Sequence, residues 1–237
     1  MTTVRRRARS GGRSDACSIL WQAAEAIPGP GVTAGGLAYE QKFDGHRAIL
    51  FTPTDPGGRV LLQTRRGSLV QDRFPDLVAA AGEQLPGGLV LDGELLVWDP
   101  EAGRLSFEAL QRRAAARARS ASILTARTPA YFVAFDVLQA DGVELLALPY
   151  RERRRRLEVL FAARGLAAPW TLCPMTTDPV KAREYIGWIA QNAGPHTALA
   201  GGGTVSAAAA ITIGLLYPRP PVLPEVRPRP LGTHARS

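Results

Sequence analysis

An α+β fold with largely antiparallel sheets is predicted by three features of this sequence. Two Asp-Gly pairs, Asp44-Gly45 and Asp92-Gly93, are each flanked by strand-like runs, the pattern of a tight turn between antiparallel neighbours. Tyr131 to Leu138, YFVAFDVL, is a nearly continuous apolar strand. Leu105 to Arg113 and about Tyr150 to Phe161 read as helices, the first with Leu105, Ala109 and Leu110 on one side.

In chain order, residues 1–16 are Arg, Gly and Ser with almost nothing to bury, and are expected to form a basic flexible arm. Cys17 to Ile27 reads as a short helix, and Pro28 to Gly36 as a loop. The apolar-polar alternation from Tyr39 then reaches Lys42 just before the Asp44-Gly45 turn, and Arg47 to Phe51 reads as the returning strand. Val60 to Thr64 is a further strand that ends at Arg65-Arg66-Gly67. Gly88 to Leu91 and Leu95 to Trp98 read as strands on either side of the Asp92-Gly93-Glu94 turn. After the Tyr131 strand, a turn leads into the Tyr150 helix, whose Arg151 and Arg153 to Arg156 form the densest basic cluster. A short strand around Leu172 and an amphipathic helix from Pro179 to Gln191 complete the ordered pattern, and 191–237 is a divergent tail rich in Ala, Gly, Pro and Arg.

With 237 residues, 46% of them hydrophobic, the chain has material for a real core. A net charge of +8 suggests a nucleic-acid partner, but the charge lies mostly in the tails. Residues 1–16 hold five arginines against one aspartate, and residues 218–237 four arginines against one glutamate. Two cysteines far apart and three isolated histidines indicate neither a zinc site nor a disulfide framework. No secretory pattern opens the chain, so a cytoplasmic protein is expected. The apolar block from Ala207 to Leu216 is too compact to cross a membrane.

Lys42 has a chemical significance of its own. Of the 29 basic residues only Lys42 and Lys181 are lysines. A guanidinium cannot lose its proton in a protein, whereas an ammonium becomes a nucleophile once burial or neighbouring cations favour the neutral amine.

KFDGHR, residues 42–47, resembles the KxDGxR signature of ATP-dependent DNA ligases, RNA ligases and capping enzymes, in which the lysine attacks an α-phosphate. In order downstream, TRRG, LDGE, LQRR and AFDVL are similar to further segments of bacterial ATP-dependent DNA ligases, so that about Gly35 to Ala190 follows the family. The resemblance implies the nucleotidyltransferase (ATP-grasp-like) fold shared by DNA ligases and mRNA capping enzymes. It assigns an adenylation domain to 17–190, with ATP and Mg²⁺ as cofactors and nicked duplex DNA as partner. By the same resemblance Lys42 is the catalytic nucleophile, Glu40 reads the adenine edge and Arg47 holds ribose or phosphate. Arg65 meets phosphate, Glu94 touches the ribose or the metal, and Phe135 stacks on the adenine.

From Gln191 onward the likeness fails. The family places there an EGxxxK strand and a strand with a KxK arrangement, but no Glu-Gly dipeptide occurs in this chain and no lysine follows Lys181. A reading-frame shift near residue 190 would account for the composition beyond it. The expected fold is accordingly incomplete and has no oligonucleotide-binding (OB) domain. An RNA ligase or capping-type enzyme, and a non-catalytic nucleic-acid-binding remnant, are the alternative readings.

Overall fold

The structure is a computed structural model that describes residues 37–184, apart from 102 and 117, together with four short strands outside that span. In chain order the strands are β1 Gln22–Ala24, β2 Leu37–Gln41, β3 His46–Phe51, β4 Leu61–Thr64, β5 Val90–Asp99, β6 Arg104–Leu105, β7 Ala130–Ala140, β8 Val143–Glu144, β9 Trp170–Leu172, β10 Met175–Thr176, β11 Thr197–Leu199, β12 Gly203–Val205 and β13 Ile211–Leu215. The helices are α1 Pro75–Gln84, α2 Phe107–Ala115, α3 Ala118–Arg127 and α4 Tyr150–Arg164. A helix also starts at residue 179 and is described as far as 184.

Two sheets organise these elements. One runs β1-β13-β2-β10, and the larger runs β4-β3-β5-β7-β8, with β6 on the end of β5 and β9 on β7. Only the β7–β9 pairing is parallel among those described. The predicted α+β class with largely antiparallel sheets is therefore found. Asp141 and Gly142, both with positive φ, make the two-residue turn of the β7–β8 hairpin, the geometry that Asp-Gly favours.

The other two Asp-Gly pairs are not hairpin turns, which corrects the expectation. β2 belongs to the smaller sheet and β3 to the larger, so the segment from Lys42 to Gly45 carries the chain across from one sheet to the other. Asp92, Gly93 and Glu94 lie inside the single strand β5, beside a register shift against β7. Glycine is needed at both places because of close approach. A Cβ on Gly93 would lie 2.4 Å from the Val133 carbonyl oxygen, and one on Gly45 would lie 2.4 Å from that of Leu95. A further correction concerns the helix expected over Cys17 to Ile27, where Gln22–Ala24 is a strand paired with β13.

The larger sheet is buried on both faces, which explains why β7 reads as an apolar run without alternation. On one face Leu50, Leu91, Leu95 and Phe132 pack with Leu77 of α1, Leu110 of α2 and Leu157 of α4. On the other, Leu96, Val133 and Phe135 pack with Phe43 and Cys173. Local signals agree with these placements. Ser106 caps α2 by accepting a hydrogen bond from the Ala109 N–H at 3.1 Å, and Gly165 ends α4 in the left-handed conformation.

Among the described residues no helix is long and apolar enough to cross a membrane. The close approach at Gly93 makes a direct prediction. Gly93→Ala is expected to lower unfolding stability by about 1–3 kcal/mol, since backbone and a packed ring must both give way. Urea unfolding of the two chains measures the difference, and equal midpoints would refute the overpacking.

Candidate active site

The segment that crosses between the sheets places Lys42 between two sets of polar groups. Its side chain is about one-third exposed, and its amine donates a hydrogen bond to Asp44 Oδ1 at 2.7 Å. Phe43, pointing the other way, is buried against Leu96 and Phe135 and so fixes the backbone that carries the lysine. Two residues upstream, Glu40 is only 3% exposed.

The facing set comes from the larger sheet. In the β3–β5 ladder Arg47 is paired with Glu94 and Ile49 with Asp92, so the two carboxylates share the Arg47 face. Arg47 forks onto Asp92 through Nε at 2.8 Å and through Nη2, the bidentate geometry that suits a carboxylate. The same guanidinium lies over the Phe135 ring, 5.4 Å from its centroid. Glu94 Oε1 accepts the Gly45 N–H at 2.9 Å, which ties β5 back to the crossing segment.

Glu40, Lys42, Arg47, Glu94 and Phe135 therefore surround one junction between the two sheets. Arg65 is not joined to them. It is exposed in the turn after β4, whose Thr64 pairs with Ala48 beside Arg47, and makes no hydrogen bond or ion pair with the cluster among the described residues.

Sequence reasoning missed a third contributor, the first turn of α4. The buried face of this helix is Tyr150, Arg153, Arg154 and Leu157. The Tyr150 hydroxyl donates to Glu40 Oε1, and Arg154 Nη1 lies 3.6 Å from the same oxygen. Arg153 is fully buried and grips Asp136, the residue after Phe135, through Nε and Nη2. Arg153 and Arg154, two members of the densest basic cluster, thus point into the protein. Arg155 and Arg156 are exposed and pair with Glu152. In the LQRR segment, Arg113 is likewise buried, forked onto Asp76 over the Phe74 ring. The side chains of Arg117 and Arg119 lie outside the described residues.

Burial dominates the electrostatics of the junction. It pushes Glu40 up to about 8, against the Tyr150 hydrogen bond and the Arg154 charge. Glu94 is pushed by burial to about 7, against the Gly45 N–H and the nearby Arg47 and Lys42, and Asp136 is pushed by burial to about 6, against Arg153. Burial disfavours the Arg47 charge, but the Asp92 carboxylate more than offsets it and holds that guanidinium above its usual range.

Two cavities flank the junction. One of about 200 Å³ lies along β2 and β10, lined by Tyr39, Glu40, Gln41, Met175 and Lys181 among others. The second, of about 240 Å³, opens beside Asp44 between Leu96, Arg104 and Phe107.

Residues 30–178 match the family model described as the ATP dependent DNA ligase domain. DNA ligase C2 of Mycolicibacterium smegmatis is 39% identical over 150 residues, covering 63% of this chain and 40% of that protein. The multifunctional non-homologous end joining protein LigD of the same organism is 34% identical over 157 residues, 65% of this chain and 19% of that protein. A solved mycobacterial DNA ligase D complexed with ATP and MES superposes with a TM-score of 0.55 at 28% identity, covering 80% of this chain and 52% of the other. The chain thus spans two fifths or less of the length of these two curated relatives.

The buried carboxyls predict how stability changes with pH. Glu40 rises from an ordinary 4.5 to about 8 on folding, so its contribution is full below 4.5 and is lost as pH rises towards 8. Glu94 and Asp136 act in the same direction. The urea midpoint is expected to fall between about pH 5 and pH 8, and Glu40→Gln, which has no charge to bury, is expected to flatten that fall. A variant with the full wild-type slope would show that Glu40 is ionised in the folded protein.

Proposed function

The chain belongs to the ATP-dependent DNA ligase family, and from that premise we propose that its domain attacks the α-phosphate of ATP with the Lys42 amine and carries AMP as a phosphoramidate. In that step an N–P bond forms, the bond from the α-phosphorus to the pyrophosphate oxygen breaks, and the amine gives up a proton. The observation that carries the reading is the position of Lys42 at the crossing between sheets, opposite Arg47, Glu94 and Phe135. Because Lys42 Nζ is engaged by Asp44, it must turn from that carboxylate to attack, and Asp44 is then placed to receive the proton.

The remaining residues take roles that their chemistry allows. Phe135 supplies an aromatic face for the adenine and Glu40 a carboxyl at the base edge. Arg47 covers one face of the Phe135 ring, so a stacked purine takes the opposite face or displaces the guanidinium towards ribose or phosphate. Arg65 is exposed in the turn after β4, where its guanidinium is available to a phosphate.

Glu94 fits a hard divalent cation. One of its oxygens is held by Gly45, and no hydrogen bond occupies the other among the described residues. No group of three or more potential metal ligands occurs there, so a Mg²⁺ ion at Glu94 would keep mostly water and phosphate oxygens around it. Bound there, Mg²⁺ would supply charge neutralisation for the departing pyrophosphate.

In the whole protein the AMP passes to the 5′-phosphate at a nick in duplex DNA, and the 3′-hydroxyl then displaces it to seal the strand.

Incubation with ATP labelled at the α-phosphate and Mg²⁺ tests the proposal. The protein is expected to acquire a label that survives denaturation, and Lys42→Ala and Lys42→Arg are expected to acquire none, since neither offers a neutral amine. Phe135→Ala is expected to weaken ATP binding by about 1–3 kcal/mol, read from the ATP dependence of labelling. A label that persists in Lys42→Ala, or an unlabelled wild-type protein, would overturn the assignment.

A further inference from the structure

The two halves of the site stand on different sheets, and α4 is attached to both by consecutive residues. Arg153 forks onto Asp136 of β7, beside Phe135, with no exposed surface on the guanidinium side and 2% on the carboxylate side. Arg154 turns to the other sheet. Its Nη1 lies 3.6 Å from Glu40 Oε1 on β2, and its Nη2 donates to the Cys173 carbonyl oxygen at 2.8 Å, just before β10. Nε is held by Glu158 at 2.8 Å, which fixes the plane of the guanidinium. Tyr150, one turn earlier on the same face, donates its hydroxyl to Glu40 Oε1.

These contacts meet on the strand that carries the nucleophile. Met175 of β10 is paired with Glu40, the Gln41 N–H donates to the Pro174 carbonyl oxygen at 3.4 Å, and the Cys173 thiol donates to the Gln41 carbonyl oxygen at 3.7 Å. Arg154 therefore faces the Glu40 carboxyl of β2 as an ion pair and holds the chain leading to the neighbouring strand through a carbonyl. The next residue after Gln41 is Lys42.

We propose that Tyr150, Arg153 and Arg154 form a latch between the two sheets, and that Tyr150 and Arg154 are positioning residues that hold the Lys42 strand at its working distance from the nucleotide-binding face of the larger sheet. The latch rests on the Lys42 reading above for its catalytic consequence, but not for its structural one. Consecutive residues on one helix point about 100° apart, which lets adjacent arginines reach two different layers. A guanidinium holds a carboxylate and a carbonyl from separate nitrogens in one fixed plane, whereas a lysine has to reach both from a single nitrogen.

The test uses the whole chain with Tyr150→Phe, which removes one hydroxyl, and Arg154→Lys, which keeps the charge but not the fork. Hydrogen exchange is followed at residues 38–41 of β2 and at β3 and β5. The latch predicts that protection of β2 falls about tenfold or more in both variants while β3 and β5 keep theirs. Glu40→Gln, which still offers an acceptor to Tyr150, is expected to retain β2 protection, and Glu40→Ala to lose it. At saturating ATP, Lys42 labelling is expected to slow about tenfold or more, because the nucleophile is displaced, while the ATP concentration for half-saturation changes by less than this, since of the nucleotide's contacts only Glu40 moves with β2.

Unchanged β2 protection in both variants would overturn the latch. So would an equal loss in all three strands, which would mean a purely structural role. Selective loss from β2 with labelling at the wild-type rate would overturn the positioning of Lys42. If the wild-type protein takes up no label, the Lys42 reading and the positioning that rests on it both fail, and the exchange pattern alone decides whether the latch exists.

Discussion

A guanidinium removed from water has to be paired, and among the described residues three buried arginines are under that constraint. Arg113 is met by Asp76, Arg153 by Asp136, and Arg154 by Glu40, Glu158 and a carbonyl. Such pairs add little net stability, because desolvation of both partners cancels most of the attraction, yet removing one partner costs about 3–5 kcal/mol. What they contribute is registry. An apolar helix face could slide on a sheet at small cost, whereas a fork aimed at one carboxylate has a single position. α4 takes its place between β7 and β2 from Asp136 and Glu40.

The same burial shapes the chemistry of the junction. Glu40, Glu94 and Asp136 are all pushed towards their neutral forms by desolvation, and each is partly restrained by a cation or donor beside it. The Arg47 fork occupies both oxygens of Asp92. A site surrounded by four acidic side chains can in this way face a polyphosphate without presenting four negative charges to it. Phe43 and Phe135 maintain the dry surroundings on which the effect depends.

Much of this was legible in the sequence, and the exceptions share a cause. β7 was visible as a long apolar run, α2 and α4 by their pattern, and the cluster Glu40, Lys42, Arg47, Glu94 and Phe135 by ordered motifs. The Asp-Gly pairs at 44–45 and 92–93 misled, because a glycine required by close approach looks the same in sequence as a glycine required by a turn. Only the neighbouring backbone of Leu95 and Val133, distant in the chain, distinguishes the two.

 The face of α4 was hidden for a different reason. Its buried positions are filled by Tyr150, Arg153 and Arg154, so hydropathy assigns the helix's inner face to solvent, and only the spacing of Tyr150, Arg153, Arg154 and Leu157 at one and two turns retains a trace of it.

The charge balance around Lys42 changes when that residue moves. At rest the two cations of the KFDGHR segment are neutralised, Lys42 by Asp44 and Arg47 by Asp92. Lys42, Asp44 and Arg47 also act on the charge of Glu94, so a rearrangement of any one of them is felt at that carboxyl. In the proposed reaction the Lys42 amine turns towards an α-phosphate, and Asp44 would be left without its counter-charge, close to a carboxyl that burial already disfavours as an anion. Two outcomes relieve that excess: a proton taken up by the pair, or a divalent cation drawn to Glu94. Nucleophilic attack releases a proton and pyrophosphate departs with charge that a cation must balance. The departure of Lys42 from Asp44 therefore creates, at the place and moment of reaction, the negative charge that both requirements call for.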